Sequence, residues 1–276
     1  MKKYFSVYND NDKLLIDEKY INFGLSRKIK ASTLPIVTVN ESSYVTKGSN
    51  QFREISLTGD EIFAAVGGYT NRRCPYFIFN CLKKSGSELQ LKHFLCAADV
   101  VNGYYDTIYP DIYLHDDKDN EYLATQSYYV PDDLYVYVFS KSPTPTSEKI
   151  GFQIFNESGE TVFDSRNKHL KVVDASYDVY ADHRLPIDKA LAIADTDLFM
   201  LYTNFINGWP QRCHIGGHVL FESGWKSQRS GPTPYETPHA GIGMRVLYTN
   251  STSSGEKVKV GEYNAPNYMV IDVTGF

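Results

Sequence analysis

The 276-residue sequence has few of the features that assign a chemistry. It carries 2 Trp, 4 Met and 4 Cys, and Cys74, Cys81, Cys96 and Cys213 never form a Cys-x-x-Cys pair. Zinc-ribbon and thioredoxin-like spacings are therefore excluded, and the cysteines are expected to be buried thiols. No run of about 18 apolar residues occurs, so no helical membrane span is expected. Met1-Lys2-Lys3 begins like a secretion signal, but Asn9-Asp10-Asn11-Asp12 interrupts it before an apolar core forms. The expectation is a chain made in a cytoplasm. A net charge of −5 provides no basic face for nucleic acid or an anionic membrane. Also missing are the Gly-x-Ser-x-Gly elbow, the phosphate loop, the dinucleotide fingerprint and the His-Glu-x-x-His helix.

Aromatic residues are abundant: 22 Tyr and 15 Phe help bring the aromatic share to 14%. Tyr, Phe, Val, Ile and Thr fit a pleated, half-buried surface, so the composition points to an all-β protein. Apolar residues at 42% and charged residues at 22% are values of a folded chain. Strands are expected near 36–39, 53–57, 76–82, 90–96, 122–130 and 134–139. In the second half they are expected near 171–173, 177–180, 198–205, 218–221, 244–248, 258–263 and 268–273. Turns such as Lys84-Ser85-Gly86-Ser87 and Ser253-Ser254-Gly255-Glu256 separate several of them. Only 186–194, with Pro186 at the first turn and Ala190, Leu191, Ala192 and Ala194 behind it, reads as a helix. Many short strands with at most one short helix indicate antiparallel β-sandwiches.

Ser142-Pro143-Thr144-Pro145-Thr146-Ser147 is the clearest interruption. Two prolines at alternate positions favour a stiff, extended spacer. This divides the chain into an N-terminal sandwich (1–141), a Pro/Thr/Ser linker (142–148) and a C-terminal sandwich (149–276). The two parts open alike. Phe5, Asn9 and Asp17 recur as Phe152, Asn156 and Asp164 in an ungapped alignment, and Val7, Tyr8, Leu15 and Ile16 answer to Ile154, Phe155, Val162 and Phe163. Each copy reads as a strand, a polar turn and a second strand. Gly159 supplies the turn's positive φ in one copy, and Asn and Asp do so in the other. The reading is a tandem duplication, with Phe5, Val7, Phe152 and Ile154 facing their own cores.

Candidate chemistry is sparse. Cys213-His214 with His218 offers three zinc-ligand types, but neighbouring residues on a strand point to opposite faces, and a Gly-rich turn with incidental histidines is the better reading. Asp117, Asp119 and Glu121 alternate as in a calcium loop, yet Tyr122 stands where such a loop needs Gly, which favours a solvated hairpin tip. The 33 acidic residues include no pair singled out for glycoside hydrolysis. Asp182-His183-Arg184 reads as a charged loop. No catalytic residue, metal or cofactor is expected. The candidate contact residues are Trp209, Trp225, Tyr104, Tyr105, Tyr128 and Tyr129, aromatic rings in or beside expected loops. Such rings serve protein interfaces and sugar sites equally.

Gly151, Phe152, Ile154, Phe155, Asn156, Gly159, Val162, Phe163, Asp164 and Ser165 form a pattern. It comprises a Gly-aromatic-x-Ile-aromatic-Asn strand, a polar Gly turn and a Val-Phe-Asp-Ser strand. With the closing 268–276 strand, it resembles the small tail and tail-tip structural proteins of tailed bacteriophages. The first copy departs from the pattern, with Tyr4 in place of Gly151, Asp12 of Gly159 and Glu18 of Ser165. The resemblance implies a virion component assembled in the host cytoplasm, acting by protein–protein contact with other tail proteins or with its own copies, without cofactor or turnover. A carbohydrate- or receptor-binding module, meeting a host surface glycan, is the alternative.

Overall fold

The computed structural model describes residues 6–8, 14–17, 22–38, 51–67, 76–85, 87–97, 100–101, 113–115, 121–123, 130, 132–141, 149–176, 185–186, 188–195, 200–202, 205–206, 209–210, 213–221, 239–247, 258–260 and 267–276. Among them the only helical turn is a 3₁₀ turn at Ala31–Thr33. The first half supplies β1 (Ser6–Tyr8), β2 (Leu14–Asp17), β3 (Gly24–Lys30), β4 (Ile36–Thr38), β5 (Gln51–Ile55) and β6 (Glu61–Gly67). There follow β7 (Tyr76–Ser85), β8 (Glu88–Ala97), β9 (Val100–Val101), β10 (Tyr113–His115), β11 (Glu121–Leu123) and β12 (Tyr135–Ser140). The second half supplies β13 (Gln153–Phe155), β14 (Thr161–Asp164), β15 (Val172–Ser176), β16 (Leu191–Asp195), β17 (Met200–Tyr202) and β18 (Phe205–Ile206). The last are β19 (Trp209–Pro210), β20 (Cys213–Phe221), β21 (His239–Leu247), β22 (Val258–Val260) and β23 (Tyr268–Asp272). The chain is all-β, and its sheets are antiparallel.

Three sheets make the body. A six-stranded sheet runs β15-β23-β16-β6-β12-β3, a five-stranded one β22-β17-β20-β21-β9, and a four-stranded one β4-β5-β8-β7. In the six-stranded sheet, side chains alternate between two buried faces, as a strand's period of two requires. Ala64, Val66, Val136, Val138, Ile193 and Val270 line one face and pack with Ile55, Tyr76, Ile78 and Leu95 of the four-stranded sheet. Ala65, Tyr137, Phe139, Ala192, Ala194 and Ile271 line the other, where Leu170 and Phe276 also pack. Burial on both faces makes every central position apolar, worth about 1.5–3 kcal/mol per large side chain. The four-stranded sheet is lined on its far side by Phe52, Phe77, Phe79 and Phe94, all fully buried. Phe52 meets Phe79 edge-on, their centroids 5.2 Å apart.

This architecture corrects the expectation of two separate sandwiches. Strands β6, β12 and β3 of the first half and β15, β23 and β16 of the second share one sheet, and the halves join where Val66 pairs with Ile193 and Gly67 with Ala192. A β-carbon built on Gly67 would lie 2.1 Å from the Leu191 carbonyl oxygen, so only glycine permits this backbone approach. The first half also lends β9 to the five-stranded sheet, where Val101 pairs with Gly243. The linker, 142–148, lies outside the described residues. Residues of both halves share the hydrophobic core.

The expected helix is corrected too. Leu191–Asp195 is a strand between β23 and β6, with Ala192, Ile193 and Ala194 buried on alternate faces. Helix propensity amounts to tenths of a kcal/mol per residue, and two flanking hydrogen-bonded ladders outweigh it. Strands β3 and β6 were not anticipated, since Arg27, Lys28 and Lys30 crowd the first and Ala64-Ala65 with Gly67 weaken the second. Strand β3 lies at the outer position in its sheet, where charge discourages pairing with another chain. The 84–87 turn joins β7 to β8, closing where Ser85 pairs with Glu88. The 253–256 turn lies outside the described residues; of its expected neighbours, β22 pairs with β17.

The two opening hairpins share one register. β1 and β2 pair Ser6↔Asp17, Val7↔Ile16 and Tyr8↔Leu14, while β13 and β14 pair Gln153↔Asp164, Ile154↔Phe163 and Phe155↔Thr161. Both ladders shift at the same point, passing over Leu15 in one and Val162 in the other.

Glu61 pins the start of β6 to the strand two places away. Its carboxylate accepts from Arg27 Nε (2.7 Å), Ser26 Oγ (2.9 Å) and Thr58 N (2.8 Å). Burial alone would raise its pKa, but the hydrogen bonds from Arg27, Thr58 and Ser26 prevail and hold it at about 2 against an ordinary 4.5. A depressed carboxylate pKa gives stability that is complete above the ordinary value and is lost as pH falls through the folded one. Acid melting curves should therefore fall between about pH 4.5 and pH 2, and Glu61→Gln should flatten that limb while costing about 1–3 kcal/mol at neutral pH. A variant that keeps the wild-type acid limb would remove Glu61 as its source.

Because the halves share a core, calorimetry of the whole chain should record one unfolding transition. Gly67→Ala should lower its midpoint by several degrees, since overpacking typically costs about 1–3 kcal/mol. Two resolved transitions, or an unchanged midpoint, would contradict the shared sheet.

Candidate functional site

The best-defined exposed feature is the hairpin from Gly151 to Ser165, and its own polar residues hold it in shape. Asn156 makes the turn: its Oδ1 accepts from Ser158 N (3.0 Å) and Glu160 N (2.8 Å), and its carbonyl accepts from Gly159 N (3.0 Å). An Asn side chain that satisfies backbone donors in this way replaces a longer ladder. Gly159 sits at φ +80°, the left-handed region that side chains avoid. At the open end Ser165 and Phe152 exchange bonds, with Ser165 N donating to Phe152 O (3.0 Å) and Phe152 N to Ser165 Oγ (2.9 Å). A β-carbon on Gly151 would meet Arg166 Cγ at 2.4 Å, so glycine there leaves room for the Arg166 side chain.

Asp164 is the anchor of the hairpin. It is buried, and its carboxylate accepts from Gln153 Nε2 (2.8 Å), Arg166 N (3.0 Å) and Arg166 Nε (2.8 Å). The Arg166 side-chain bonds, foremost, and its backbone amide hold the Asp164 carboxyl well below the usual carboxylate range. The Asp164 carbonyl accepts from His169 Nε2 at 2.6 Å, and the His169 ring stacks on Phe163 with centroids 4.3 Å apart.

Strand β14 fixes the hairpin to the body, because Val162 O accepts from both Asn22 N (3.0 Å) and Asn22 Nδ2 (3.1 Å). Strand β13 is thereby left outermost. Phe152 is 55% exposed, Phe155 52% and the preceding Ile150 91%. The expectation that Phe152 and Ile154 face a core is thus corrected: Ile154 is half-buried, Phe152 leans on Phe163 at 5.4 Å, and Val162 and Asp164 are the residues turned inward. For Phe5 and Val7 the side chains lie outside the described residues.

Of the expected contact residues, Trp209 lies in β19, its backbone paired with Ile206. Trp225, Tyr104, Tyr105, Tyr128 and Tyr129 lie outside the described residues. Cys213, His214 and His218 occupy β20, opposite Leu247, Val246 and Ile242. Among the described residues no group of three or more His, Cys, Asp or Glu is placed to hold a metal ion. Strands β10 and β11 flank the acidic 116–120 segment, with His115 opposite Glu121, and the segment itself lies outside the described residues. Cys96 is a buried thiol. Sequence reasoning passed over Ile150 as a surface residue and Arg166 as the partner of Asp164; the adjacent Asp-Ser-Arg was the available signal.

No protein-family model, curated protein or solved structure matches this chain.

Asp164→Asn should cost about 2 kcal/mol, since it removes a buried charge-assisted pair. The wild-type hairpin should loosen as pH falls below the ordinary carboxylate range, because the folded pKa is depressed. Faster amide exchange at Phe152 and Ser165 in the variant checks this; unchanged exchange would show that the turn alone holds the hairpin.

Proposed function

We propose that this chain is a structural component of a tailed-bacteriophage virion, in the tail or tail tip, and that it works by protein–protein assembly. The observation that carries the reading is the division of labour in the Gly151–Ser165 hairpin. Gly151, Asn156, Gly159, Asp164 and Ser165, which carry the resemblance to tail proteins, fix the hairpin's shape. Phe152 and Phe155 from the same pattern are left in solvent. Rigid aromatic rings on a preformed hairpin suit an interface core, since they bring large contact area at low entropy cost. The partners on this reading are other tail proteins, and assembly takes place in the host cytoplasm.

Antibody to the chain should label purified virions at the tail in electron micrographs. Phe152→Ala with Phe155→Ala should leave the melting temperature unchanged and reduce incorporation into particles roughly 30-fold, the equivalent of about 2 kcal/mol. Trp209→Ala and Trp225→Ala test the remaining candidate rings in the same assay. Virions without the chain would overturn the reading. So would hydrolysis of a host glycan by the wild type that a single Asp or Glu substitution abolishes.

A further inference from the structure

The six-stranded sheet reads alike from both edges: outer, middle and inner strands are β3, β12, β6 from one side and β15, β23, β16 from the other. Strand β12 pairs with β3 as Val136↔Ile29, Tyr137↔Lys28, Val138↔Arg27 and Phe139↔Leu25, with a bulge passing over Ser26. Strand β23 pairs with β15 as Tyr268↔Ser176, Met269↔Ala175, Val270↔Asp174 and Ile271↔Val172, with a bulge passing over Val173. From Ile29 to Ser176, and from Ser26 to Val173, the displacement along the chain is the one that relates the two hairpins, Ser6 to Gln153. The inner strands follow suit. Ala64 pairs with Val138 as Ile193 does with Val270, and Ala65 pairs with Tyr137 as Ala194 does with Met269.

Burial agrees with register. Ala64, Val138, Ile193 and Val270 share one core, and Ala65, Phe139, Ala194 and Ile271 share the other. A one-residue slip would exchange the faces, so agreement at each of these positions is a strong constraint. The two inner strands meet antiparallel, as copies of one strand do across a twofold axis. The segments leading into the outer strands meet likewise: Leu170 N donates to Phe23 O, and Phe23 and Leu170 are themselves counterparts. Among the described residues outside this sheet and the hairpins, the four- and five-stranded sheets differ in strand order.

We infer that the chain is two copies of one β unit folded as an internal twofold dimer, that the β1–β2 hairpin is a second docking element equivalent to β13–β14, and that the assembly partner presents one apolar site twice, on two identical subunits. The partner rests on the function proposed above for the Gly151–Ser165 hairpin; the twofold frame does not. In the ungapped alignment Phe5 and Tyr8 fall at the positions of the exposed Phe152 and Phe155. Two equivalent aromatic hairpins on one chain engage a repeated site with avidity, which commonly exceeds one contact by 10²–10⁴-fold.

The test uses the full chain. Replacing residues 5–19 by the sequence of residues 152–166 should preserve the fold, with a single melting transition within about 4 °C of wild type, and preserve incorporation into particles. An exchanged chain that aggregates or melts far lower overturns the internal dimer. Phe5→Ala with Tyr8→Ala should then reduce incorporation as much as Phe152→Ala with Phe155→Ala, and all four together should abolish it. A loss confined to the second hairpin overturns the equivalence and leaves the proposed function standing. No loss from either pair in folded protein overturns the proposed function and the repeated partner together. If the Phe5/Tyr8 variant fails to fold, Phe5→Leu with Tyr8→Leu, which removes the rings and keeps apolar side chains, takes its place in the incorporation assay.

Discussion

Strand β6 can approach strand β16 only because residue 67 has no side chain. The Gly67 α-carbon lies against the Leu191 carbonyl and Ala192, where a methyl group would overlap backbone. That contact joins three strands from each half into one sheet, and the sheet's two buried faces then organise the hydrophobic core. Ala64, Ala65, Ala192 and Ala194 surround the junction, so small residues set the distance between the halves and larger ones fill the space farther out.

The outer edges of that sheet are handled differently. Strand β3 carries Arg27 and Lys28; the first is held by Glu61, and the second lies over the Tyr135 ring, 4.4 Å from its centroid. A bridge between Gly24 and His169 covers the start of the same strand. A charged, covered edge of this kind discourages open-ended strand addition. The Gly151–Ser165 hairpin differs from this edge: its polar groups bond within it, and Phe152 and Phe155 are exposed.

Polar residues of the Gly151–Ser165 hairpin give it its shape. Asn156, Asp164 and Ser165 direct their polar atoms to backbone amides and to Gln153, Glu160 and Arg166. This arrangement leaves the Phe152 and Phe155 rings exposed on a hairpin fixed by its own hydrogen bonds.

The all-β class, the turn at Asn156–Gly159 and the matching hairpins were legible in the sequence by itself. Alternation, turn chemistry and internal likeness are local properties, carried by residues within reach of each other along the chain. The strand at Leu191–Asp195, the shared sheet and the outward face of Phe152 were not legible. Ala-rich segments satisfy a helix and a buried strand equally, and the choice is made by β6 and β23, which arrive from distant parts of the chain. Phe152 looked like a core residue because aromatic residues usually are. Its exposure was decided by Asn22, more than a hundred residues earlier, which binds Val162 and leaves β13 on the outside.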